Sequence, residues 1–420
     1  MTRRFRSLAP ILVILLLGAC AGDDKSFYER GLNQGAQNAA KEGDHGEKAA
    51  AFPFKIGDLA PAHRPDPKSD EAGIWYQVDK VERRIKTAGE RYRHAAVNSY
   101  IRSVTCRVTG RYCKDVRVYT IRAPGLQASM YPNGMMHIST GLLLRTQNEA
   151  QLAAVIGHET GHYLRRHSLQ RIREIIDASN SLFFFRVALA GAGIPVAGDV
   201  VTLMAIGEMT AYGRNHEREA DGYGLLLMTQ AGYDPEEAWK IWDLTLKESK
   251  AIKKDEERTV FFASHPQPEE RMHEMRRLSK TVKTADTTDL GQDRLQELVA
   301  PIRADLIRDE LNLRRFDGFE VLLDHLIEGG QNLAELYYFK GEMRRLRGKG
   351  KDFVEALGFY DKAATMPGTT PPEFHRSRGV VQRKLGRRNA AMASFAAYLR
   401  ANPQAADAGI IRQLIEEPEK

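Results

Sequence analysis

The sequence predicts an α+β chain dominated by helix, with a small sheet in its first domain and an all-α, repeat-built second domain. Three patterns carry that expectation. Apolar residues recur near a 3.6-residue period at Val78, Val81, Ile85, Tyr92, Ala96, Tyr100 and Val104, predicting one helix there. A second long helix is predicted from Glu149 to about Ile176, with Leu152, Val155, Ile156, His162 and Leu169 on a common side. Between them, Val116 to Ile121 and Met135 to Ser139 read as extended stretches, set off by Pro124-Gly125 and Pro132-Asn133-Gly134. Near the C-terminus, Gly341 and Gly379 stand 38 residues apart in similar frames.

A chain of 420 residues has room for two or three domains, and 42% hydrophobic with 28% charged residues describes globular material. The first 19 residues read as a signal peptide. Arg3, Arg4 and Arg6 precede the apolar run Leu8 to Leu17, which is short for a permanent membrane helix. Leu17-Gly18-Ala19-Cys20 looks like a bacterial lipobox, which implies cleavage before Cys20 and a lipid on its thiol. Ala21, not Asp, follows Cys20; by resemblance to Gram-negative sorting rules this implies an outer-membrane lipoprotein facing the periplasm. Residues 20–75, with Pro61, Pro65 and Pro67 close together, read as a flexible tether.

With Cys20 lipidated, Cys106 and Cys113 remain, seven residues apart across a turn-like stretch. In an oxidising compartment such a pair predicts a structural disulfide, the alternative being two buried thiols. Loss of the three signal arginines lowers the net charge from +7 to +4. That is too mild to argue for nucleic acid, and no basic stripe interleaved with aromatics is present.

The chemistry lies in His158-Glu159-Thr160-Gly161-His162. On a helix, residues i and i+4 share a face, so His158 and His162 can converge on one ion. Imidazole nitrogens suit tetrahedral zinc. Glu159 stands next to the first histidine and reaches the water that zinc activates, so it can take a proton and pass it to a leaving amine. The preceding run Ala153 to Gly157 is apolar and buries the helix, where unexplained histidines are costly. The pattern predicts one Zn2+ per chain.

A catalytic zinc needs a third protein ligand and an open position. Candidates lie in Asn215-His216-Glu217-Arg218-Glu219-Ala220-Asp221. At these residues, together with 158–162, the chain resembles the HtpX/BepA-type zinc metallopeptidases, relatives of the CAAX prenyl proteases. The resemblance runs over about residues 76–280. It implies a zincin-like, gluzincin-type domain, here 76–285, with Glu217 as the third ligand. Helical spacing agrees: Glu217 and Asp221 share a face, which leaves Asp221 to hold a ligating histidine from behind, whereas Glu219 points away as a solvated charge. His216 is the competing ligand. Gly134 to Leu142 resembles the family's strand before the active-site helix and is expected to be an edge strand able to hold an extended substrate. Gln127-Ala128-Ser129 departs from the family's usual Asn-Ala-Phe, which puts carried-over roles there in doubt. Ser264-His265-Pro266, followed by Arg271, resembles a later element whose histidine can approach the metal. His265 is thus a candidate regulatory fourth ligand, or a transition-state donor when displaced, against the reading of a surface histidine. His167 reads as structural.

Residues 181–208 are strongly apolar but interrupted by Arg186, Asp199, Gly191, Gly193 and Pro195, which favours a helical hairpin or lid over a membrane span. The stretch 280–292 reads as a linker. Residues 290–420 resemble tetratricopeptide repeats: Gly379, Gly386, Ala391, Phe395 and Pro403 in one, Gly341, Gly348, Ala356, Tyr360 and Ala363 in the other, with a degenerate pair at 294–329 including Phe316 and Leu322. Such repeats form concave surfaces that bind partners. The expected activity is hydrolysis of peptide bonds in exported proteins, with protein or peptide substrates, an outer-membrane assembly machine as a partner of the repeats, and the membrane reached through the lipid. The competing class is a chaperone or assembly factor with little proteolysis.

Overall fold

The computed structural model describes residues 58–171, 173, 213–252, 265, 268–282 and 289–416. The signal segment, Cys20, the tether as far as residue 57 and the apolar stretch 181–208 lie outside the described residues. Among the described residues, no helix is long and apolar enough to cross a membrane.

Helix α1 (Asp70–Ile85) starts at Ser69, whose hydroxyl accepts from the Ala72 amide. This start lies inside the segment read as tether, and the chain is laid down on the domain earlier still. Leu59 is buried and donates its amide to the Leu164 carbonyl at 2.9 Å. The single helix expected over 78–104 is two, α1 and α2 (Ala95–Thr109). The reason is that residues 90–92 hydrogen-bond to the sheet instead: Arg122 N donates to Glu90 O at 2.7 Å and Tyr92 N to Thr120 O at 2.9 Å. Beyond α2, Cys106 and Cys113 are joined as a disulfide.

Three strands follow, β1 (Arg117–Ile121), β2 (Ala128–Met130) and β3 (Met135–Ser139), in the order β1-β3-β2. β1 runs parallel to β3 with Arg117 opposite Met135, and β2 runs antiparallel with Ala128 opposite Ile138. The strand expected at the edge, β3, is therefore central, and all five of its residues are buried. The edge falls to β2, which holds two of the three residues at the departure noted above. Ile74, Val78, Val81 and Ile85 of α1 cover the sheet against Tyr119, Ile121 and Met135.

α3 (Thr140–Arg145) leads to α4 (Glu149–Leu164), which carries 158–162. The Asn148 side chain caps α4 by accepting from the Gln151 amide at 2.9 Å. All sixteen residues of α4 are buried, so the helix is enclosed on every side, its polar residues included. Burying Leu152, Val155 and Ile156 contributes about 1.5–3 kcal/mol each. α4 ends sooner than its periodicity predicts: Arg166 adopts φ 57°, and the helical stretch from 167 takes a new direction. α5 (Arg214–Gln230) packs along α4 with almost no side chain between them. A Cβ on Gly157 would lie 2.9 Å from Gly224 O, and one on Gly161 would lie 2.8 Å from Tyr223 Cβ. α6 (Ala238–Ala251) and α7 (Pro268–Ser279) complete this part.

The remainder is helical: α8 (Gln292–Val299), α9 (Arg303–Asn312), α10 (Phe316–Glu328), α11 (Leu333–Arg347), α12 (Asp352–Ala363), α13 (Phe374–Lys384), α14 (Arg388–Ala401) and α15 (Ala408–Glu416). The two recurring glycines make the same contact in successive helix pairs: a Cβ on Gly341 would run into the Tyr360 ring, and one on Gly379 would lie 2.6 Å from the Phe395 ring. The end of the stretch read as a linker is held to the first part, with Asp289 N donating to Gly232 O and Ala150 N to Leu290 O, both at 3.1 Å. Arg145 at the end of α3 reaches Glu248 of α6 (2.7 Å) and Glu310 of α9 (2.6 Å), all three buried.

Candidate metal centre

The close approach of α4 and α5 sets Glu217 opposite His158 and His162. His265 enters from the segment before α7. Ligand atoms of these four residues all lie within 4.8 Å of one another, and all four are buried. Nε2 of His158 is 3.1 Å from Nε2 of His162 and 3.3 Å from Nδ1 of His265. Glu217 carboxylate oxygens lie 3.7 Å from His158 Nε2, 3.5 Å from His162 Nε2 and 3.0 Å from His265 Nδ1. Four donors about 2.0–2.1 Å from one tetrahedral ion stand about 3.3 Å from each other. The residues fit a zinc-sized cation in donor type and in spacing. His216, the competing ligand, is outside this group; it stacks on His167 with ring centroids 4.4 Å apart and meets Gln170.

Glu159 lies at the same place with both carboxylate oxygens buried and without a hydrogen-bond partner among the described residues, which is costly unless they serve a reactant. Burial raises its pKa, helped by Glu217 and opposed by His265 and His158. A carboxylate so raised is a better proton acceptor. His265 Nε2 is 3.6 Å from Glu159 Oε1, so one imidazole faces both the candidate base and the ligand set. Burial lowers the His265 pKa, but the Glu217 carboxylate outweighs it and the net shift is upward. Burial and the neighbouring imidazoles hold His162 well below its ordinary value, so its nitrogens stay neutral. Burial pushes Glu217 up, yet Arg271 and His265 bring it below the ordinary range.

Asp221 occupies the supporting position read from its spacing, with Oδ1 2.9 Å from His158 Nδ1. Arg271 forks onto Asp221 at 2.8 and 2.7 Å and also contacts Glu217. Burial raises Asp221, but this guanidinium dominates and holds it at about 2. The guanidinium lies over the Trp242 ring at 5.2 Å, and that ring is 5.5 Å from the His158 ring. Arg271 was legible only as part of the motif after His265, and Trp242 had no signal beyond a buried aromatic. His167, read from the sequence as structural, and Glu219, read as a solvated charge, are joined to the centre: His167 Nδ1 is 3.0 Å from His162 Nδ1, and Glu219 Oε2 is 3.1 Å from His167 Nε2. Glu219 also pairs with Arg165 at 3.0 Å, so it is no free solvated charge.

The β2 edge has no strand partner on its outer side among the described residues. It runs into Tyr131, whose hydroxyl pKa is raised by burial and by the Glu159 carboxylate, which marks this edge as neighbouring the candidate base.

Residues 90–279 match the model of peptidase family M48. The chain is similar to the mitochondrial metalloendopeptidase OMA1 of Schizosaccharomyces pombe, 35% identical over 127 residues, 30% of this chain and 36% of that protein. It is 33% identical over 126 residues to OMA1 of Arabidopsis thaliana, 30% of this chain and 25% of that protein. To the beta-barrel assembly-enhancing protease of Escherichia coli K12 it is 23% identical over 209 residues, 47% of this chain and 42% of that protein. The chain thus spans well under two thirds of these relatives. The family match covers the sheet, the paired helices α4 and α5 and the buried His-His-Glu-His group, so residues 90–279 are similar to the metallopeptidases of family M48.

Proposed function

We propose that this chain is a zinc-dependent endopeptidase of the bacterial cell envelope, with His158, His162 and Glu217 as metal ligands and Glu159 as general base. The observation that supports this best is the convergence of those three side chains beside a buried carboxylate with no hydrogen-bond partner among the described residues. A zinc ion supplies Lewis acidity for activating water. Glu159 takes the proton and delivers it to the leaving amine, Asp221 orients His158, and the β2 edge pairs with an extended substrate. The substrates are exported proteins, misfolded or stalled. Residues 290–420 act as tetratricopeptide-like repeats that bind those clients or an outer-membrane assembly machine, and lipid on Cys20 anchors the chain to the outer membrane.

His265 favours a gated form of this reading. Its Nδ1, 3.0 Å from Glu217 and 3.3 Å from His158 Nε2, takes the fourth donor position. A resting enzyme closed in this way also suits an assembly factor that binds clients and cleaves few of them.

Glu159→Gln tests both readings. Cleavage of an unfolded protein such as casein is expected to fall about 10²–10⁴-fold with zinc content unchanged. Undiminished cleavage sinks the assignment of the base. Full complementation of a deletion strain by the same variant establishes the binding role over proteolysis.

A further inference from the structure

We propose that His167 and Glu219 are positioning residues for His162, which together select the ring nitrogen that carries its proton. This rests on the metal reading above. His162 presents Nε2 to the ligand group and Nδ1 to His167 Nδ1 at 3.0 Å. The opposite nitrogen of His167, Nε2, meets Glu219 Oε2 at 3.1 Å. Glu219 Oε1 is 3.0 Å from Arg165 Nε, and Arg165 Nη1 is 3.0 Å from Asp58 Oδ1. His167 is fully buried, and the His216 ring stacks on its face.

The contact exists because α4 stops. On an unbroken helix, position i+5 lies about 140° around the axis from position i. The left-handed residue Arg166 redirects the chain and swings His167 back onto the ring of His162.

A neutral imidazole carries one N–H and one lone pair. For His162 to offer its Nε2 lone pair to a metal, the proton must sit on Nδ1 and be donated to His167 Nδ1. His167 then carries its own proton on Nε2 and donates it to Glu219. An ionised carboxylate has no proton to give, so it permits this direction and blocks the reverse. In the reverse arrangement the proton of His162 would point at His158 Nε2 and Glu217, and His162 could not ligate. His158 reaches the same end by a shorter route, through direct contact with Asp221 at 2.9 Å. Partners behind a ligating histidine affect metal affinity about 10–100-fold.

The test is competition for Zn2+ between the purified full-length chain and a chromogenic chelator, with the thermal midpoint of the metal-free protein measured in parallel. H167F removes the acceptor and is expected to weaken zinc binding toward the upper end of the 10–100-fold range, and E219Q toward the lower end, because an amide can face His167 with either group. H167N places a carbonyl where Nδ1 lay and is expected to stay within about threefold of the wild type. E219Q, at a partly exposed position, carries the test if H167F fails to fold. Zinc binding by H167F or E219Q within about twofold of the wild type overturns the proposal, as does H167N binding as weakly as H167F. A wild-type chain that binds no zinc overturns the metal reading itself, whereas tight binding unaffected by these variants overturns only the relay.

Discussion

Two of the groups of buried charges within the described residues are composed differently. At the junction of α3, α6 and α9, Arg145 sits between Glu248 and Glu310, with Nε and Nη2 on one carboxylate and Nη1 on the other. The guanidinium bonds to both carboxylates and leaves only Glu248 Oε1 without a partner among the described residues. In the metal centre three imidazoles crowd nitrogen against nitrogen at 3.1 and 3.3 Å, and neither oxygen of Glu159 has a hydrogen-bond donor among the described residues. The first arrangement holds parts of the molecule together. The second makes sense only with something more in it. Buried charge by itself therefore says little about function; the pairing of the charge says a great deal.

Substitution should separate the two. Arg145→Met leaves two carboxylates buried without their partner, and an unfolding free energy lower by about 3–5 kcal/mol is expected in denaturant titrations of the metal-free protein, with zinc affinity unchanged. His158→Ala should do the reverse, abolishing zinc binding in chelator competition while costing the metal-free protein less than the Arg145 change. Equal losses of stability in the two variants would erase the distinction.

The same contrast shows why some of the molecule was legible from the chain and some was not. His158, Glu159 and His162 lie within one turn of one helix, and the spacing of Glu217 and Asp221 is likewise local, so sequence alone brings each set to a face. Arg145, Glu248 and Glu310 are separated by 103 and 165 positions, and no local pattern announces them. The contacts of His167 and Glu219 with the centre are hidden from the sequence for a related reason. A helical wheel reports directions on one unbroken helix, and here α4 ends at Leu164 while α5 supplies the second partner. The parallel pairing of β1 with β3 is also non-local, which is why β3 passed for an edge.

A third network extends the comparison to pH. Glu82 is buried, which raises its pKa, but hydrogen bonds from Arg117 and Tyr119 and the charges of Arg117 and Lys86 win and bring it to about 2. Its folded value lies below its unfolded one. The stability it contributes is therefore full above about pH 4.5 and is lost as pH falls toward 2. Glu82→Gln should flatten the acid limb of a stability–pH curve in that window; an unchanged limb would remove Glu82 from the matched class.

The smallest expected effect comes from the Cys106–Cys113 disulfide, which closes a short loop away from either charge group. Reduction should lower the unfolding free energy by about 2 kcal/mol and leave zinc affinity where it was. A change in zinc affinity on reduction would tie the loop to the centre.

The packing of α4 on α5 has one further consequence. With Gly157 against Gly224 and Gly161 against Ala220 and Tyr223, the two backbones themselves are the spacer between Glu217 and the histidine pair. The bite of the centre is thus gauged by main-chain thickness, a dimension that side-chain repacking elsewhere in the core cannot retune. A single methyl on that seam would act as a shim: the Cβ of an alanine at 157 would press within 2.9 Å of a carbonyl oxygen, and the helices would have to part. The aperture that admits one small cation is written in three residues that carry no functional group.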